Sequence, residues 1–220
     1  MNRIEAVVSD FGGVLTTPLL AAFAGMQETH GIPLPALGRV MAGAQTDDGE
    51  VLLYALERGA IPESEFLRIL GEGLRAELGH PVDMEGYGAG FFSHLHPNAE
   101  MFAYLRGLHE RGMRMAILTN NVREWEPLWR PMLPIDELFE VVVDSAFVGM
   151  RKPDPEIYQL TLEKLGIPAE RTVFIDDMET NVEGARNVGM QGVWFQTTEQ
   201  TIAELDALLD SAGEAAPSGT

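Results

Sequence analysis

The sequence predicts an α/β fold: a doubly wound parallel sheet with a helical insertion between its first two strands. Three observations carry that expectation. Short apolar, β-branched runs alternate with helical patterns over most of the chain, which implies parallel strands joined by right-handed crossovers. Several helical patterns stop at a glycine, at Gly112, Gly166 and Gly189, the residue that most readily ends a helix. The stretch from about Leu19 to Leu95 breaks the alternation and carries helical patterns without a strand.

In chain order, the first strand is expected at Ala6–Asp10, an apolar run ending on a carboxylate. The insertion follows, with Leu20–His30, Leu34–Ala42, Glu50–Arg58, Glu63–Glu77 and a glycine-rich segment, Gly86–Phe92. Such an insertion would rest over the carboxyl ends of the sheet and can act as a lid. Asn98–Arg111 places Met101, Phe102, Leu105 and Leu108 at helical spacing and stops at Gly112. Strands are then expected at Met115–Thr119 and Glu140–Asp144, and a helix at Pro155–Leu165. A strand at Thr172–Asp176, a helix at Thr180–Val188, a strand at Gly192–Phe195 and a helix at Thr201–Leu209 complete the pattern. The expected division is a core of residues 1–18 and 96–212, a helical insertion of 19–95, and a small, polar tail, 213–220, expected to be disordered.

Composition limits the function classes. The chain has 220 residues, 15 basic and 34 acidic, for a formal charge of −19. That field opposes nucleic acid and anionic membranes, and it obliges any phosphate site to supply positive charge locally. There are no cysteines, so thiolate metal sites and disulfides are excluded. No signal peptide pattern opens the chain and no apolar run approaches the roughly 18 residues of a membrane span, so a cytoplasmic protein is expected. Monomer and homodimer both remain open.

Thirteen of the basic residues are Arg and two, Lys152 and Lys164, are Lys. A compact point charge for a phosphate is a physical reason to place Lys in Arg151-Lys152-Pro153. Asp10 stands at a strand end before Phe11-Gly12-Gly13, beside backbone that can turn tightly. Leu118-Thr119-Asn120 and Ile175-Asp176-Asp177 bring a hydroxyl, an amide and an acid pair to other strand ends. Together these clusters read as a magnesium-assisted phosphoryl-transfer site. Each also has a plain structural reading: a turn-capping aspartate, turn chemistry at Thr119-Asn120, a loop lysine and a solvated acidic face.

In these motifs, taken in order, the chain resembles the haloacid dehalogenase-like hydrolase superfamily, in the branch with a helical cap inserted after the first strand of a Rossmann-like core. The resemblance covers nearly the whole chain. It implies that Asp10 attacks phosphorus to form an aspartyl-phosphate and that Lys152 neutralises charge on nucleophile and phosphoryl group. It implies that Thr119, Asn120 and the loop N–H groups of Phe11 and Gly12 hold phosphate oxygens. Mg2+ would be bound by Asp10, the Gly12 carbonyl, Asp176 and Asp177, with Asp177 the more direct ligand of the pair, and Asn181 would orient the acidic loop. The implied activity is hydrolysis of a small phosphorylated metabolite.

The chain departs from the family pattern at Gly12, where most such phosphatases carry a second aspartate that protonates the leaving group and then activates water. General acid–base help is typically worth a factor of about 10²–10⁴, so turnover without it is expected to be slow. The gap argues against a phosphomutase, and the absence of lysine from the insertion argues against a carbon–phosphorus hydrolase. A weakly active or non-catalytic phosphate- and metal-binding homologue and a metal-free 2-haloacid dehalogenase remain alternatives. His94 and His96, just before Pro97, are candidates to replace the missing acid.

Overall fold

A computed structural model describes residues 3–213. Five parallel strands, β1 (Ala6–Ser9), β2 (Arg114–Thr119), β3 (Val141–Asp144), β4 (Thr172–Asp176) and β5 (Gln191–Trp194), form one sheet in the order β3-β2-β1-β4-β5. The chain winds outward from β1 to one edge and then returns to build the other. The carboxyl ends of β1, β2 and β4 therefore meet where the strand order reverses, the crevice in which open α/β sheets bind ligands. Register brings Ser9 opposite Ile117 on one side and Ile175 on the other.

Both faces of the sheet are covered, which is why the strands are apolar on both sides. Val7, Met115, Ile117, Val173, Ile175 and Val193 pack on one side with α6 (Ala99–Glu110) and α12 (Thr198–Gly213). Their alternates Ala6, Val8, Ala116, Leu118, Val143 and Phe174 pack on the other with α10 (Pro155–Leu165) and α11 (Glu179–Asn187). The period of two along each strand thus builds two distinct layers.

Between β1 and β2 lie α1 (Leu19–His30), α2 (Leu34–Gly43), α3 (Leu52–Glu57), α4 (Glu63–Leu78) and α5 (Tyr87–Ser93). They gather around an apolar cluster of their own that includes Met26, Leu37, Leu56, Phe66, Leu70, Leu74 and Phe91. Phe66, Leu70 and Leu74 stack at four-residue spacing on one face of α4. The chain leaves and re-enters the core through paired stems. Thr17 N–H donates to His96 O (2.8 Å), Asn98 N–H donates to Leu15 O (2.8 Å), and Thr16 bridges Pro97.

Four local departures from the sequence patterns have physical causes. The glycine-rich segment forms helix α5 despite poor propensity, because its glycines allow close packing: a side chain at Gly88 would strike Trp125, and one at Gly90 would strike His30. The unassigned stretch after Asn121 folds into short turns, including α7 (Glu126–Trp129) and α8 (Ile135–Leu138), with Pro127, Pro131 and Pro134 each at the start of a turn. A single turn, α9 (Ser145–Val148), follows β3, capped by Asp144 Oδ1 accepting from Ala146 N–H (3.0 Å). Helix α12 begins before Thr201 because Thr197 and Gln200 form a capping box. Gln200 N–H donates to Thr197 Oγ1 (3.2 Å), and Gln200 Oε1 accepts from Thr197 N–H (3.4 Å). Gly213 is the last described residue of α12, and the rest of the tail expected to be disordered lies outside the described residues. Among the described residues, no helix is long and apolar enough to cross a membrane.

Candidate active site

Asp10 follows β1 directly, and its N–H continues the ladder to Ile175 O (2.8 Å). Its Oδ1 accepts from Phe11 N–H (2.7 Å) and lies 2.9 Å from Lys152 Nζ. Lys152 comes from the loop between α9 and α10 and is only 1% exposed. Its ammonium also reaches Asp176 Oδ2 at 2.6 Å, so one buried cation bridges the ends of β1 and β4.

Asp176 is fixed from the other side. Its Oδ1 accepts from Met178 N–H (2.8 Å) and Asn181 Nδ2 (3.0 Å), and Tyr158 O–H donates to Asn181 O (2.7 Å). Ligand oxygens of Asp10, Asp176 and Asp177 lie within 4.8 Å of one another. Gly13 (φ 76°) lets the loop pass this cluster in the left-handed region, and a Cβ there would collide with the Asp177 carboxylate.

Three carboxylates against a single ammonium leave a surplus of negative charge in a mostly buried site. Burial pushes the Asp10 carboxyl up to about 7; Lys152 pulls it down while Asp176 and Asp177 push it further up. Burial and then Asp176 likewise push Asp177 up to about 6. Burial disfavours the Lys152 ammonium, but Asp10 and Asp176 outweigh it and hold the ammonium above its ordinary value. An all-oxygen donor set with this surplus of negative charge fits a small divalent cation such as Mg2+.

Thr119 ends β2 and lines the cavity beside Asp10; its hydroxyl makes no hydrogen bond to another described residue. Asn120 also lines that cavity, but both ends of its carboxamide are engaged by the backbone of Lys152. Asn120 Nδ2 donates to Lys152 O (3.0 Å) and Lys152 N–H donates to Asn120 Oδ1 (2.8 Å). Phe11 turns its ring into the core against Trp129, while its N–H is taken by Asp10. His94 and His96 do not line the cavity. The His94 ring packs against Gly25, and His96 is exposed. They do not stand where the missing acid would.

The cavity measures about 180 Å³ and opens between Asp10 and the helices of the insertion. Phe23, Leu53, Leu56, Phe91, Phe92 and Trp125 form much of its wall. Glu57, at the end of α3, brings the one further carboxylate to this wall. Sequence patterns alone did not single it out, because nothing local distinguishes it from the other acids of the insertion. Its Oε2 accepts from Arg151 Nε (2.8 Å), and the Arg151 guanidinium lies over the Tyr54 ring, 3.8 Å from its centroid.

A family model described as haloacid dehalogenase-like hydrolase matches residues 4–189. The chain is 31% identical over 225 residues to phosphatase MT3486 of Mycobacterium tuberculosis, covering 96% of this chain and 99% of that protein. It is 38% identical over 108 residues to glyceraldehyde 3-phosphate phosphatase of Pyrococcus abyssi, covering 43% of this chain and 44% of that one. A magnesium complex of an enzyme from Bacteroides thetaiotaomicron shares the fold, with a TM-score of 0.64 at 24% identity, over 87% of this chain and 93% of that one.

Proposed function

The chain belongs to the haloacid dehalogenase-like hydrolase family, and from that premise we propose that it is a magnesium-dependent phosphatase working through an aspartyl-phosphate on Asp10. The observation that carries the reading is the placement of Lys152 Nζ between Asp10 Oδ1 and Asp176 Oδ2. A buried ammonium on the nucleophile lowers the repulsion that an incoming phosphate dianion meets. Asp10, Asp176, Asp177 and the Gly12 carbonyl would hold Mg2+, which supplies further positive charge for the phosphoryl group. The open hydroxyl of Thr119 and the Gly12 N–H position the phosphate oxygens, while the Phe11 and Gly13 N–H groups are engaged by Asp10 and Thr16, and Asn120 fixes the Lys152 loop. One Asp10 oxygen then attacks phosphorus, the alcohol departs, and water cleaves the aspartyl-phosphate.

The helices of residues 19–95 act as a cap, closing the cavity and excluding solvent from the phosphoenzyme. Their apolar wall suits a small phosphate ester whose alcohol is apolar rather than a polyhydroxylated sugar. Hydrolysis of p-nitrophenyl phosphate with Mg2+, measured for the native chain and for Asp10→Asn, tests the reading. Activity in the first and none in the second is expected. Full activity in Asp10→Asn would remove the nucleophile. Gly12 favours one other reading, a homologue that binds phosphate and metal with little turnover, and no hydrolysis of any ester by the native chain would select it.

A further inference from the structure

We propose that Glu57 is the proton-transferring carboxyl of this site, acting from the cap in place of the side chain that Gly12 lacks. The inference rests on the phosphatase reading and adds a residue to it. The usual position of the acid is not merely vacant. A Cβ on Gly12 would meet Leu19 Cδ2 at 3.0 Å, so Leu19 packs tightly against the backbone from which such a side chain would start.

Three residues with titratable side chains line the cavity: Asp10, Glu57 and Tyr87. Asp10 is the nucleophile. Burial pushes the Tyr87 phenol up to about 12, too high to exchange a proton readily near neutrality. Glu57 is left. Its Oε2 is engaged by Arg151, while its Oε1 has no hydrogen-bond partner among the described residues.

Glu57 is also held in place. Ser145 Oγ donates to its backbone carbonyl (2.5 Å), tying the end of α3 to the core. Arg151 grips it from the residue next to Lys152, so the loop that supplies the site's ammonium also orients its second carboxyl. The side chain is 16% exposed. Burial raises its pKa, and Arg151 and then Lys152, the charged groups facing it, pull the other way.

The proton balance closes over two steps. As Asp10 attacks and the phosphorus–alkoxide bond breaks, the protonated Glu57 gives its proton to the leaving oxygen, and the alcohol departs. The Glu57 carboxylate then takes a proton from water, whose oxygen attacks phosphorus. The bond to Asp10 breaks, its electron pair returns to the carboxylate, and inorganic phosphate leaves with Glu57 protonated again.

The test compares kcat/KM for hexyl phosphate and p-nitrophenyl phosphate with Mg2+ in the native chain, Glu57→Gln and Arg151→Met. kcat/KM reports the first chemical step, in which p-nitrophenolate needs no proton and hexanolate does. Glu57→Gln keeps an oxygen for Arg151. It should lose about 10²-fold or more on hexyl phosphate and stay within about threefold on p-nitrophenyl phosphate. Arg151→Met, which disturbs placement, should lower both. Equal losses on the two esters in Glu57→Gln, or none on hexyl phosphate, would overturn the role. A leaving-group series on the native chain gives an answer without any variant: a shallow dependence on leaving-group pKa supports an acid in place, and a steep one rejects it. If the native chain cleaves neither ester, the phosphatase reading falls first and takes Glu57's role with it.

Discussion

The carboxamide of Asn120 holds both backbone polar groups of Lys152, accepting from its N–H at 2.8 Å and donating to its carbonyl at 3.0 Å. The two residues are 32 positions apart and belong to different loops, one after β2 and one between α9 and α10. The pairing mimics a short piece of sheet ladder, and it sets where the buried ammonium emerges.

Asn120→Ala should therefore act through Lys152. It removes two part-buried hydrogen bonds, at about 1–3 kcal/mol, and allows the ammonium to drift from Asp10. A fall of roughly 10–100-fold in kcat, with a smaller change in KM, is the expected outcome. Steady-state kinetics and a urea melt on the same preparation separate the two effects. A melt and kcat both unchanged would deny the coupling.

Mg2+ should raise stability without any substrate. Binding to the folded chain alone stabilises by about 2.7 kcal/mol at a hundredfold excess over Kd, read as a Tm that climbs with Mg2+ and falls with chelator. Asp177→Asn removes a candidate ligand oxygen and should shift the titration to higher Mg2+. Lys152→Met leaves the Asp10, Asp176 and Asp177 carboxylates without their ammonium. It should cost about 3–5 kcal/mol without the ion and less with it. A Tm indifferent to Mg2+ would argue against the metal site.

The apolar wall makes a prediction about the alcohol. In a series of n-alkyl phosphates, each methylene buried contributes about 0.8 kcal/mol, or roughly fourfold in kcat/KM, until the cavity is full. Glucose 6-phosphate should be a poor substrate. Phe91→Ala enlarges the wall and should move the optimum to longer chains. A preference for the sugar phosphate would contradict the assignment of Phe91 and its neighbours to specificity.

Asp144 gives the pH dependence of stability an identifiable contributor outside the metal cluster. Burial pushes its carboxyl from 3.8 up to about 6, the Ala146 N–H and two arginines pull it back, and Oδ2 is buried without a partner. A raised folded pKa means that the folded chain holds a proton that the unfolded chain has released between about pH 4 and 6. Stability therefore falls as pH rises through that window and does not recover above it. The loss is roughly 3 kcal/mol at most, at about 1.4 kcal/mol per unit. Asp144→Asn keeps the Oδ1 acceptor for α9 and cannot ionise. Its melts should exceed the native chain's at pH 7 and converge with them near pH 4; a constant difference across that range would reject the assignment.

Much of this molecule is legible in one dimension. Strand and helix positions follow from runs and periods of apolar residues, which report burial locally. Asp10, Thr119 and Asp176 announce themselves because each ends or directly follows a strand, and parallel strands of one sheet bring such ends together. Helix α5 and the turns after Asn121 escape that reading because glycine packing against Trp125 and His30, and the placement of Pro127, Pro131 and Pro134, decide them.

The sequence by itself determined the sheet, the insertion and the residue types at the strand ends, since pattern and composition act over a few positions. Only the tertiary structure decided that Asn120 grips Lys152, that Leu19 packs tightly against Gly12, and that Glu57 meets Arg151 across 94 residues. Those relationships depend on how the insertion docks on the core and where each side chain points. Such long-range packing has no period along the chain.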